Sequence, residues 1–378
     1  MEERIWLSLA HMGGQEQKYI QEAFDTNWVV PMGPNVDGFE KVLTNYLGKE
    51  VEVSALSAGT AAIHLGLVLL GVKAGDEVIC QSFTFSASAN PILYQGATPV
   101  FVDSEKDTWN MCPKHLEAAV KDRVSKGKKP KAIIPVHLYG MPSKMNEICQ
   151  IAEQYEIPII EDAAEALGST YNGHKCGTIG KIGVLSFNGN KIITTSGGGA
   201  LVSKDSELVK KSRFLATQAR DNAPYYQHSQ IGYNYRMSNI VAGVGRGQME
   251  VLPARVNKRR EINKFYREQL SNIDGISFQS EPASSFFSNY WLTSILLDPS
   301  KIKLSPNELR LALEEENIES RLLWKPMHLQ PIFEKYPYFG DGTSDELFNQ
   351  GLCLPSSSIL TEDDLLRVCS AIKRVCCK

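Results

Sequence analysis

The sequence predicts an α/β protein with a large, mainly parallel-sheet domain and a smaller α+β domain. Between about residues 51 and 203, short runs rich in β-branched residues alternate with amphipathic stretches of helical periodicity. This alternation is typical of a buried parallel sheet covered by helices. After Met237 it gives way to one long helical stretch and then to shorter mixed elements. We therefore predict an N-terminal segment and large domain over residues 1–253 and a small C-terminal domain over residues 254–378.

The individual elements follow from apolar runs and helical periodicity. In the large domain the predicted strands are Glu52–Leu56, Glu77–Cys80, Pro99–Asp103, Ala132–His137, Pro158–Glu161, Gly183–Phe187 and Ala200–Ser203, and the predicted helices include Ala61–Leu70, Pro113–Lys121 and Lys144–Tyr155. Further on we predict a helix through Glu250 and past Pro253 to Leu270, strand Tyr290–Leu297, helix Asn307–Asn317, strand Ser320–Trp324 and a final helix. That last helix opens with Thr361-Glu362-Asp363-Asp364, a capping-box pattern.

Composition and charge exclude several classes of partner. The 378 residues are 43% hydrophobic and 22% charged, with a net charge of −3, as in ordinary globular proteins with a sizeable core. This balance gives no reason to expect a nucleic acid or an anionic membrane as partner. No apolar run approaches the roughly 18 residues of a membrane helix, and Met1-Glu2-Glu3-Arg4 does not begin a signal peptide. We expect a cytoplasmic protein.

The cysteines and histidines predict neither disulfides nor a metal site. Eight cysteines, at positions 80, 112, 149, 176, 353, 369, 376 and 377, are scattered and form no CxxC pair. This pattern indicates reduced, mostly buried thiols. The seven histidines show no metal-ligand spacing, so no metal is expected.

Lys191 is the most informative residue of the chain. It follows the apolar run Ile182–Phe187, which is typical of a buried strand, and lies in a turn rich in Asn and Gly. One interpretation is an ordinary solvated loop lysine. The other is chemical, because lysine amines form Schiff bases with carbonyls, and pyridoxal phosphate (PLP) is the commonest cofactor that uses this reaction.

A small-residue loop, residues 57–62, joins the first predicted strand to its helix. The backbone N–H groups and the positive dipole end of a helix N-terminus there would bind a phosphate group. The alternative is a tight turn in which Thr60 is the N-cap.

Asp162 follows the apolar strand Pro158–Glu161. Open α/β sheets place ligand contacts at the carboxyl ends of their strands. Toward PLP, a carboxylate there would pair with the pyridine nitrogen and keep the ring protonated. A helix N-cap aspartate is the common alternative and does not exclude this role.

Phe85 follows the second predicted strand and would cover one face of the PLP ring, although a core aromatic is the default for any single Phe.

The order of these features carries more information than any one of them. A phosphate loop, an aromatic residue, an aspartate and then Ser-x4-Lys, with Lys191 29 residues beyond Asp162, resembles the PLP-dependent transferases of fold type I, the aspartate aminotransferase-like fold.

More narrowly, essentially the whole chain resembles the DegT/DnrJ/EryC1/StrS family of sugar-nucleotide aminotransferases. The segments that carry the resemblance are Asn27-Trp28, Pro31-Met32-Gly33, Glu161-Asp162-Ala163-Ala164, Gly232–Ser238 and Arg321–His328. Residues 188–196 and 161–169 look like one branch in particular. That branch makes UDP-N-acetylbacillosamine precursors by aminating a UDP-4-keto-6-deoxy-N-acetylhexosamine at C4.

The resemblance implies a role for each matching residue. Lys191 would bind PLP as a Schiff base and shuttle the proton of the reaction, and Asp162 would pair with the pyridine nitrogen. Phe85 would stack on the ring. Thr60 and Ala61, through their backbone, and the Ser186 hydroxyl would bind the phosphate. Asn234 occupies the position from which the neighbouring subunit reaches that phosphate, which implies a homodimer with shared active sites.

Glu165 departs from many family members, which carry His or Gln three residues after the aspartate. A carboxylate there would either accept a hydrogen bond near the cofactor or raise local pKa values. Arg321, Trp324 and His328 lie in a family motif near the substrate site, and packing at the hinge of the small domain is the alternative for Trp324 and His328.

The implied reaction is a ping-pong transamination between L-glutamate and a keto sugar nucleotide, most specifically UDP-2-acetamido-4-keto-2,6-dideoxyglucose. A dTDP- or GDP-linked keto sugar, aminated at C3 or C4, is the alternative. Relatives that perform deoxygenation replace the Schiff-base lysine with His, so the presence of Lys191 favours amination. A non-catalytic regulator on the same fold is a further alternative, but no basic DNA-binding segment precedes Glu52.

Overall fold

The computed structural model describes residues 3–376. Its helices are α1 (Glu16–Asp25), α2 (Pro34–Leu47), α3 (Gly59–Leu69), α4 (Asn90–Tyr94), α5 (Pro113–Ser125), α6 (Met145–Gln154), α7 (Ser206–Ala216), α8 (Asn239–Leu270), α9 (Pro306–Glu315), α10 (Thr343–Gln350) and α11 (Glu362–Cys376). Its strands are β1 (Glu52–Leu56), β2 (Glu77–Gln81), β3 (Thr98–Val102), β4 (Ala132–Ile134), β5 (Ile160–Asp162), β6 (Thr170–Tyr171), β7 (His174–Lys175), β8 (Ile182–Ser186), β9 (Gly199–Ser203), β10 (Ile276–Phe278), β11 (Phe286–Phe287), β12 (Thr293–Leu297), β13 (Arg321–Leu322), β14 (Tyr338–Phe339) and β15 (Gly351–Leu354).

The seven predicted strands of the large domain form one central sheet. Two four-stranded groups, β1-β9-β8-β5 and β4-β2-β3-β14, are joined by parallel bridges from Ile133 to Ile159 and from Val136 to Asp162. Every neighbouring pair is parallel except those that involve β9, which runs antiparallel to both β1 and β8. The predicted α/β class with a mainly parallel sheet is confirmed.

The parallel register brings the carboxyl ends of β5 and β8 to the same edge of the sheet. Asp162 is the last residue of β5 and pairs with Val184, and β8 ends two residues later at Ser186. The chain then turns directly into the segment that carries Lys191. Residues that are far apart in sequence therefore emerge side by side.

Helix α3 packs on this sheet and aims its N-terminus at the same edge. Eight of its eleven residues are buried, which explains its mainly apolar sequence. The start of β9 passes so close that a Cβ atom on Gly199 would lie 2.3 Å from the backbone nitrogen of Gly59. Only glycine permits this approach of two backbones.

The C-terminal part is built on a second sheet, β10-β12-β15-β13, whose pairs are all antiparallel. Its apolar face packs with α9, α11 and the second half of α8, and Ile5 of the N-terminal segment joins the same core cluster. Helix α8 runs without interruption through Pro253, so the predicted boundary at 253/254 falls inside a helix. That division of the chain stays a prediction.

Local details refine the sequence-based bounds. The predicted strand Tyr290–Leu297 begins only at Thr293, because Tyr290 has a left-handed backbone with φ of 45°. The predicted capping box is confirmed: the Asp364 N–H donates to the Thr361 hydroxyl at 3.2 Å, and the Thr361 N–H donates to the Asp364 carboxylate at 2.9 Å.

Within residues 3–376, no helix combines the length and the apolar character needed to cross a membrane. Cys80, Cys176, Cys353 and Cys369 are buried thiols. Cys377, together with Met1 and Glu2 of the N-terminal sequence, lies outside the described residues.

Candidate active site

A cavity of about 430 Å³ opens where the central sheet faces the 321–324 segment of the C-terminal part. Its wall gathers residues from both parts of the chain. The predicted site residues that line it are Thr60, Phe85, Asp162, Glu165, Ser186, Lys191, Arg321 and Trp324. The volume lies in the range of cofactor and small-molecule sites.

The N-terminus of α3 forms one end of this cavity. The helix begins at Gly59, and its N-cap, Ala58, supplies no side-chain hydrogen bond. The interpretation of Thr60 as N-cap is therefore wrong, because Thr60 already lies inside the first turn. Ser186 is adjacent: a Cβ atom on Gly59 would lie 3.3 Å from its hydroxyl oxygen. An uncapped helix N-terminus beside a hydroxyl group is suited to bind an anion. Ala61 is buried in the same turn and does not line the cavity.

Asp162 presents a buried carboxylate whose two oxygens have different partners. The Ser88 hydroxyl donates to Oδ2 at 2.6 Å, and the backbone N–H of Ala164 donates to Oδ1 at 3.1 Å. Residues 163–169 form turns and no helix, so the interpretation of Asp162 as a helix N-cap is wrong, and the second contact closes a turn after β5. Ser88, which also lines the cavity, was not anticipated, since an isolated serine carries no sequence signal.

Lys191 and Glu165 meet at the centre of the cavity. The lysine Nζ lies 3.4 Å from Glu165 Oε1, and the two side chains are 12% and 5% exposed. The other oxygen, Oε2, accepts the backbone N–H of Tyr139 at 2.7 Å. Burial raises the pKa of Glu165 above its ordinary value and the nearby Asp162 adds to this, while Lys191 and the Tyr139 N–H oppose it.

Aromatic residues line the opening. Phe85 is 51% exposed, which makes the core interpretation of this residue wrong. Its ring lies 5.2 Å from that of Trp324, and Trp324 stacks on Tyr139 with a centroid distance of 6.2 Å. Arg321 lines the opening with an exposed guanidinium that lies 2.9 Å from Glu319.

Two predicted site residues are not part of this cavity. His328 lies between the two parts of the chain, where its Nδ1 is 2.7 Å from the Ser82 hydroxyl and its Nε2 is 3.1 Å from Asp345. It stacks on Tyr338 at 3.7 Å. This placement is the hinge packing considered as the alternative for His328. Asn234 is exposed on the surface of its own chain and does not line the cavity.

Trp291 is a cavity residue that the sequence did not single out. Its ring faces the Lys191 amine at 4.3 Å, and its indole N–H donates to the carbonyl of Asn190 at 2.7 Å. A tryptophan next to an apolar run is ordinarily a core residue, so no sequence signal indicated this contact.

One cluster of potential metal ligands lies away from the cavity. Asp103, His115 and Asp341 bring their ligand atoms within 4.8 Å of one another. Asp103 already accepts backbone N–H groups of residues 341–344 at 2.9 to 3.1 Å. Its carboxylate therefore anchors the start of α10 to the central sheet.

Comparisons with known proteins identify the family of this chain. The model of the DegT/DnrJ/EryC1/StrS aminotransferase family matches residues 10–373. EpsN of Bacillus subtilis (strain 168), provisionally named a pyridoxal phosphate-dependent aminotransferase, is 53% identical over 372 residues, which cover 97% of this chain and 95% of EpsN. The GDP-perosamine synthase of Caulobacter vibrioides is 36% identical over 377 residues, 98% of each chain. The PLP-form of Spr1654 from Streptococcus pneumoniae, provisionally named a sugar aminotransferase, superimposes with a TM-score of 0.90 at 25% identity and 98% coverage of both chains.

The cavity brings together a lysine amine, a buried carboxylate and an uncapped helix N-terminus, which are the groups that PLP requires. The fold and this site define a PLP-dependent enzyme of fold type I. The chain belongs to the DegT/DnrJ/EryC1/StrS aminotransferase family. It is a PLP-dependent aminotransferase, and the alternative of a non-catalytic regulator is thereby set aside.

Proposed function

We propose that this enzyme transfers the amino group of L-glutamate to a nucleotide-linked keto sugar, UDP-2-acetamido-4-keto-2,6-dideoxyglucose. The amino and oxo groups are exchanged, so the products are the 4-amino sugar nucleotide and 2-oxoglutarate. The observation that carries the proposal is the convergence of Lys191, Asp162 and the N-terminus of α3 on one cavity whose mouth is aromatic.

When bound, PLP supplies an aldehyde that takes up the amino group and a ring that accepts the electron pair left by deprotonation. In this proposal Lys191 holds the cofactor covalently and moves the proton at the reacting carbon. Asp162, oriented by Ser88, holds a proton on the ring nitrogen. The first turn of α3 and the Ser186 hydroxyl bind the phosphate, and Phe85 covers the ring.

Residues of the C-terminal part complete the proposed substrate site. Trp324 and Arg321 line the cavity, and the Trp324 ring lies 5.2 Å from that of Phe85. A flat aromatic surface and a guanidinium are suited to bind a sugar ring and a diphosphate, respectively. His328, which lies outside the cavity, would act only through the packing between the two parts of the chain.

The choice of acceptor rests on the resemblance of residues 161–169 and 188–196 to the branch that aminates UDP-linked sugars. A GDP-linked keto sugar is the second candidate, because the 36% identical relative from Caulobacter vibrioides is named a GDP-perosamine synthase. Both candidates share the same chemistry at the amino donor.

The proposed active unit is a homodimer in which Asn234 of each subunit reaches the phosphate site of the other. The exposed position of Asn234 in its own chain supports this assignment. A contact between subunits would also need exposed apolar surface. Ile231, near Asn234 in sequence, and Trp28 and Met32 of the N-terminal segment are exposed apolar residues that offer it.

A product assay tests the proposal. The purified protein is incubated with PLP, L-glutamate and UDP-2-acetamido-4-keto-2,6-dideoxyglucose, and the products are analysed by mass spectrometry and NMR. A 4-amino sugar with stoichiometric 2-oxoglutarate is expected. If glutamate is converted to 2-oxoglutarate but no sugar product forms, the acceptor is wrong, and dTDP- and GDP-linked keto sugars are tested next.

A further inference from the structure

Lys191 lies in a turn that is held from outside the central sheet. Its own N–H donates to the Asn188 carbonyl at 3.0 Å. The carbonyl of the preceding residue, Asn190, accepts two further hydrogen bonds, from the Ser8 hydroxyl at 2.7 Å and from the Trp291 indole N–H at 2.7 Å. The N-terminal segment and the C-terminal part therefore both fix the lysine turn.

These hydrogen bonds form a closed network that includes the buried Arg259 side chain. Arg259 donates one hydrogen bond to the backbone carbonyl of Trp291 and a second to the Ser8 hydroxyl at 2.9 Å. Arg259 is 1% exposed. Among the residues that the structure describes, no carboxylate forms an ion pair with it. A buried guanidinium without an ionic partner is costly, which argues that its contacts serve a purpose other than stability.

Hydrogen bonds and aromatic stacking fix the position of Trp291. Its backbone N–H donates to Asn289 Oδ1 at 2.8 Å, and its ring stacks on Tyr139 with a centroid distance of 6.4 Å and an interplanar angle of 19°. Its carbonyl accepts a hydrogen bond from Arg259 and its indole N–H donates to the Asn190 carbonyl, so these contacts favour one orientation of the ring. It is 1% exposed.

The Lys191 amine lies over the ring of Trp291, 4.3 Å from the ring centroid. It also lies 3.4 Å from Glu165 Oε1. A desolvated tryptophan face attracts the ammonium form of the amine and fixes where it lies. The amine reacts with an aldehyde only after it has given a proton to water or to the adjacent carboxylate, so the ring acts on the position of the amine and not on its reactivity.

We propose that Trp291 is a positioning residue for Lys191: its indole N–H fixes the turn that carries the lysine, and its ring face holds the amine in the cavity whenever the amine is not bonded to the cofactor. This inference rests on Lys191 being the cofactor lysine, as proposed above. It assigns to a residue of the C-terminal part a direct influence on the lysine of the large domain.

The test measures how fast Lys191 bonds to PLP. The full-length chain is freed of cofactor, PLP is added back at increasing concentration, and formation of the Schiff base is followed by stopped-flow absorbance. Trp291→Leu removes both contacts, so the rate constant at saturating PLP should fall about tenfold. The PLP concentration at half-saturation should stay within about twofold, because the phosphate and ring contacts remain.

Two further variants separate positioning from general destabilisation. Trp291→Phe keeps an aromatic face and loses only the N–H donor, so its rate constant should fall about threefold. Trp109→Leu removes a tryptophan of the same core cluster that does not line the cavity. It should lose a comparable amount of thermal stability and keep the wild-type rate constant. If Trp291→Leu does not fold, the Trp291→Phe result decides.

A Trp291→Leu rate constant within twofold of wild type, or an equal loss in Trp109→Leu, would overturn the inference. Borohydride reduction of the wild-type holoenzyme, followed by peptide mass spectrometry, locates the PLP adduct. An adduct on Lys191 with unaffected Trp291 variants refutes only the positioning role. An adduct on another lysine refutes the assignment of Lys191 itself.

Discussion

The amine of Lys191 lies 3.4 Å from the carboxylate of Glu165, although the two residues follow different strands. Strands β5 and β8 are parallel neighbours, so the segments after them leave the sheet at the same edge. Burial raises the pKa of Glu165, and the same pocket surrounds the lysine. The site therefore places one titratable acid against the residue proposed to bind the cofactor.

Replacing Lys191 by Ala should abolish transamination, with a loss of at least about 1,000-fold in kcat. The variant should retain its fold, because the amine that it loses contacts Glu165 and Trp291 at the cavity wall and makes no backbone hydrogen bond to any described residue. The measurement is 2-oxoglutarate release from L-glutamate at saturating PLP. Lys204→Ala, on an exposed lysine of the same domain, serves as the control, and near-wild-type turnover by Lys191→Ala would refute the assignment.

Glu165→Gln should change how stability depends on pH. A raised folded-state pKa means that the folded chain keeps a proton that the unfolded chain releases above about pH 4.5, the ordinary value for this group. The folded state then loses stability as pH rises through the interval between the two pKa values. The variant lacks this loss, so its stability relative to wild type should increase as pH rises above about 4.5.

Urea unfolding of the cofactor-free full-length chain measures this difference. Glu153→Gln, on the exposed face of α6, is the control and should show no such trend. Parallel pH profiles for wild type and Glu165→Gln would contradict the prediction.

Asp162→Asn and Ser88→Ala should affect the reaction unequally. The neutral amide that replaces the carboxylate in Asp162→Asn cannot stabilise a protonated ring nitrogen, so we expect a loss of about 1,000-fold in kcat. Ser88→Ala removes one hydrogen bond to the carboxylate, found at 2.6 Å, and should cost up to about tenfold. Single-turnover kinetics with L-glutamate measure both. A larger loss in Ser88→Ala than in Asp162→Asn would contradict the proposed hierarchy.

Mixed dimers test the sharing of active sites. Lys191→Ala and Asn234→Asp should each be inactive alone, the second because a carboxylate would face the cofactor phosphate. After the two are unfolded together and refolded, half of the dimers should be mixed, and each mixed dimer carries one site free of both substitutions. Activity should return to roughly a quarter of the wild-type value. No recovery from a refolded, dimeric mixture would show that each subunit builds its site alone.

Asp103→Asn should destabilise the contact between the central sheet and α10. Burial by itself raises the pKa of Asp103, but the donors of Ser344, Tyr338 and Ser104 outweigh it, so the pKa is lowered. Its stabilising contribution is therefore present at neutral pH and is lost as pH falls through the folded-state pKa. At neutral pH the variant should lose about 2 kcal/mol.

Denaturant unfolding at neutral and acidic pH checks this prediction. The difference between wild type and Asp103→Asn should shrink at acidic pH. The exposed Asp274 provides the control substitution, Asp274→Asn, which should remain within about 0.5 kcal/mol of wild type. An equally stable Asp103→Asn variant would show that the backbone N–H groups of residues 341–344 do not depend on this carboxylate.

Local chain chemistry determined much of what the sequence could predict. The apolar runs that became β1, β2, β3, β8 and β9 were recognisable because buried strands need continuous apolar residues. Lys191 and Asp162 were recognisable because a charged residue at the end of such a run is unusual. The capping box at Thr361 was likewise complete within four residues.

The predicted bounds failed where local turn contacts or distant packing, and not apolar periodicity, decide the backbone. Tyr290 lies outside its predicted strand because Ser288 and Asn289 redirect the chain, each accepting a backbone N–H two residues further on. Thr60 does not cap α3, because the close approach of Gly199 to Gly59 sets where that helix begins. Phe85 is exposed and not part of the core, because it faces the cavity.

The sequence by itself indicated the α/β class from its alternating elements, implied the cofactor through its resemblance to a known family, and singled out Lys191 and Asp162 by their places at the ends of predicted strands. Only the tertiary structure decided which further side chains surround them. Ser88 and Trp291 come from two segments that the sheet and the C-terminal part bring to Asp162 and Lys191, and the structure also places the predicted Glu165 against the Lys191 amine. Such contacts depend on the directions of packed elements, which periodicity within one segment does not encode.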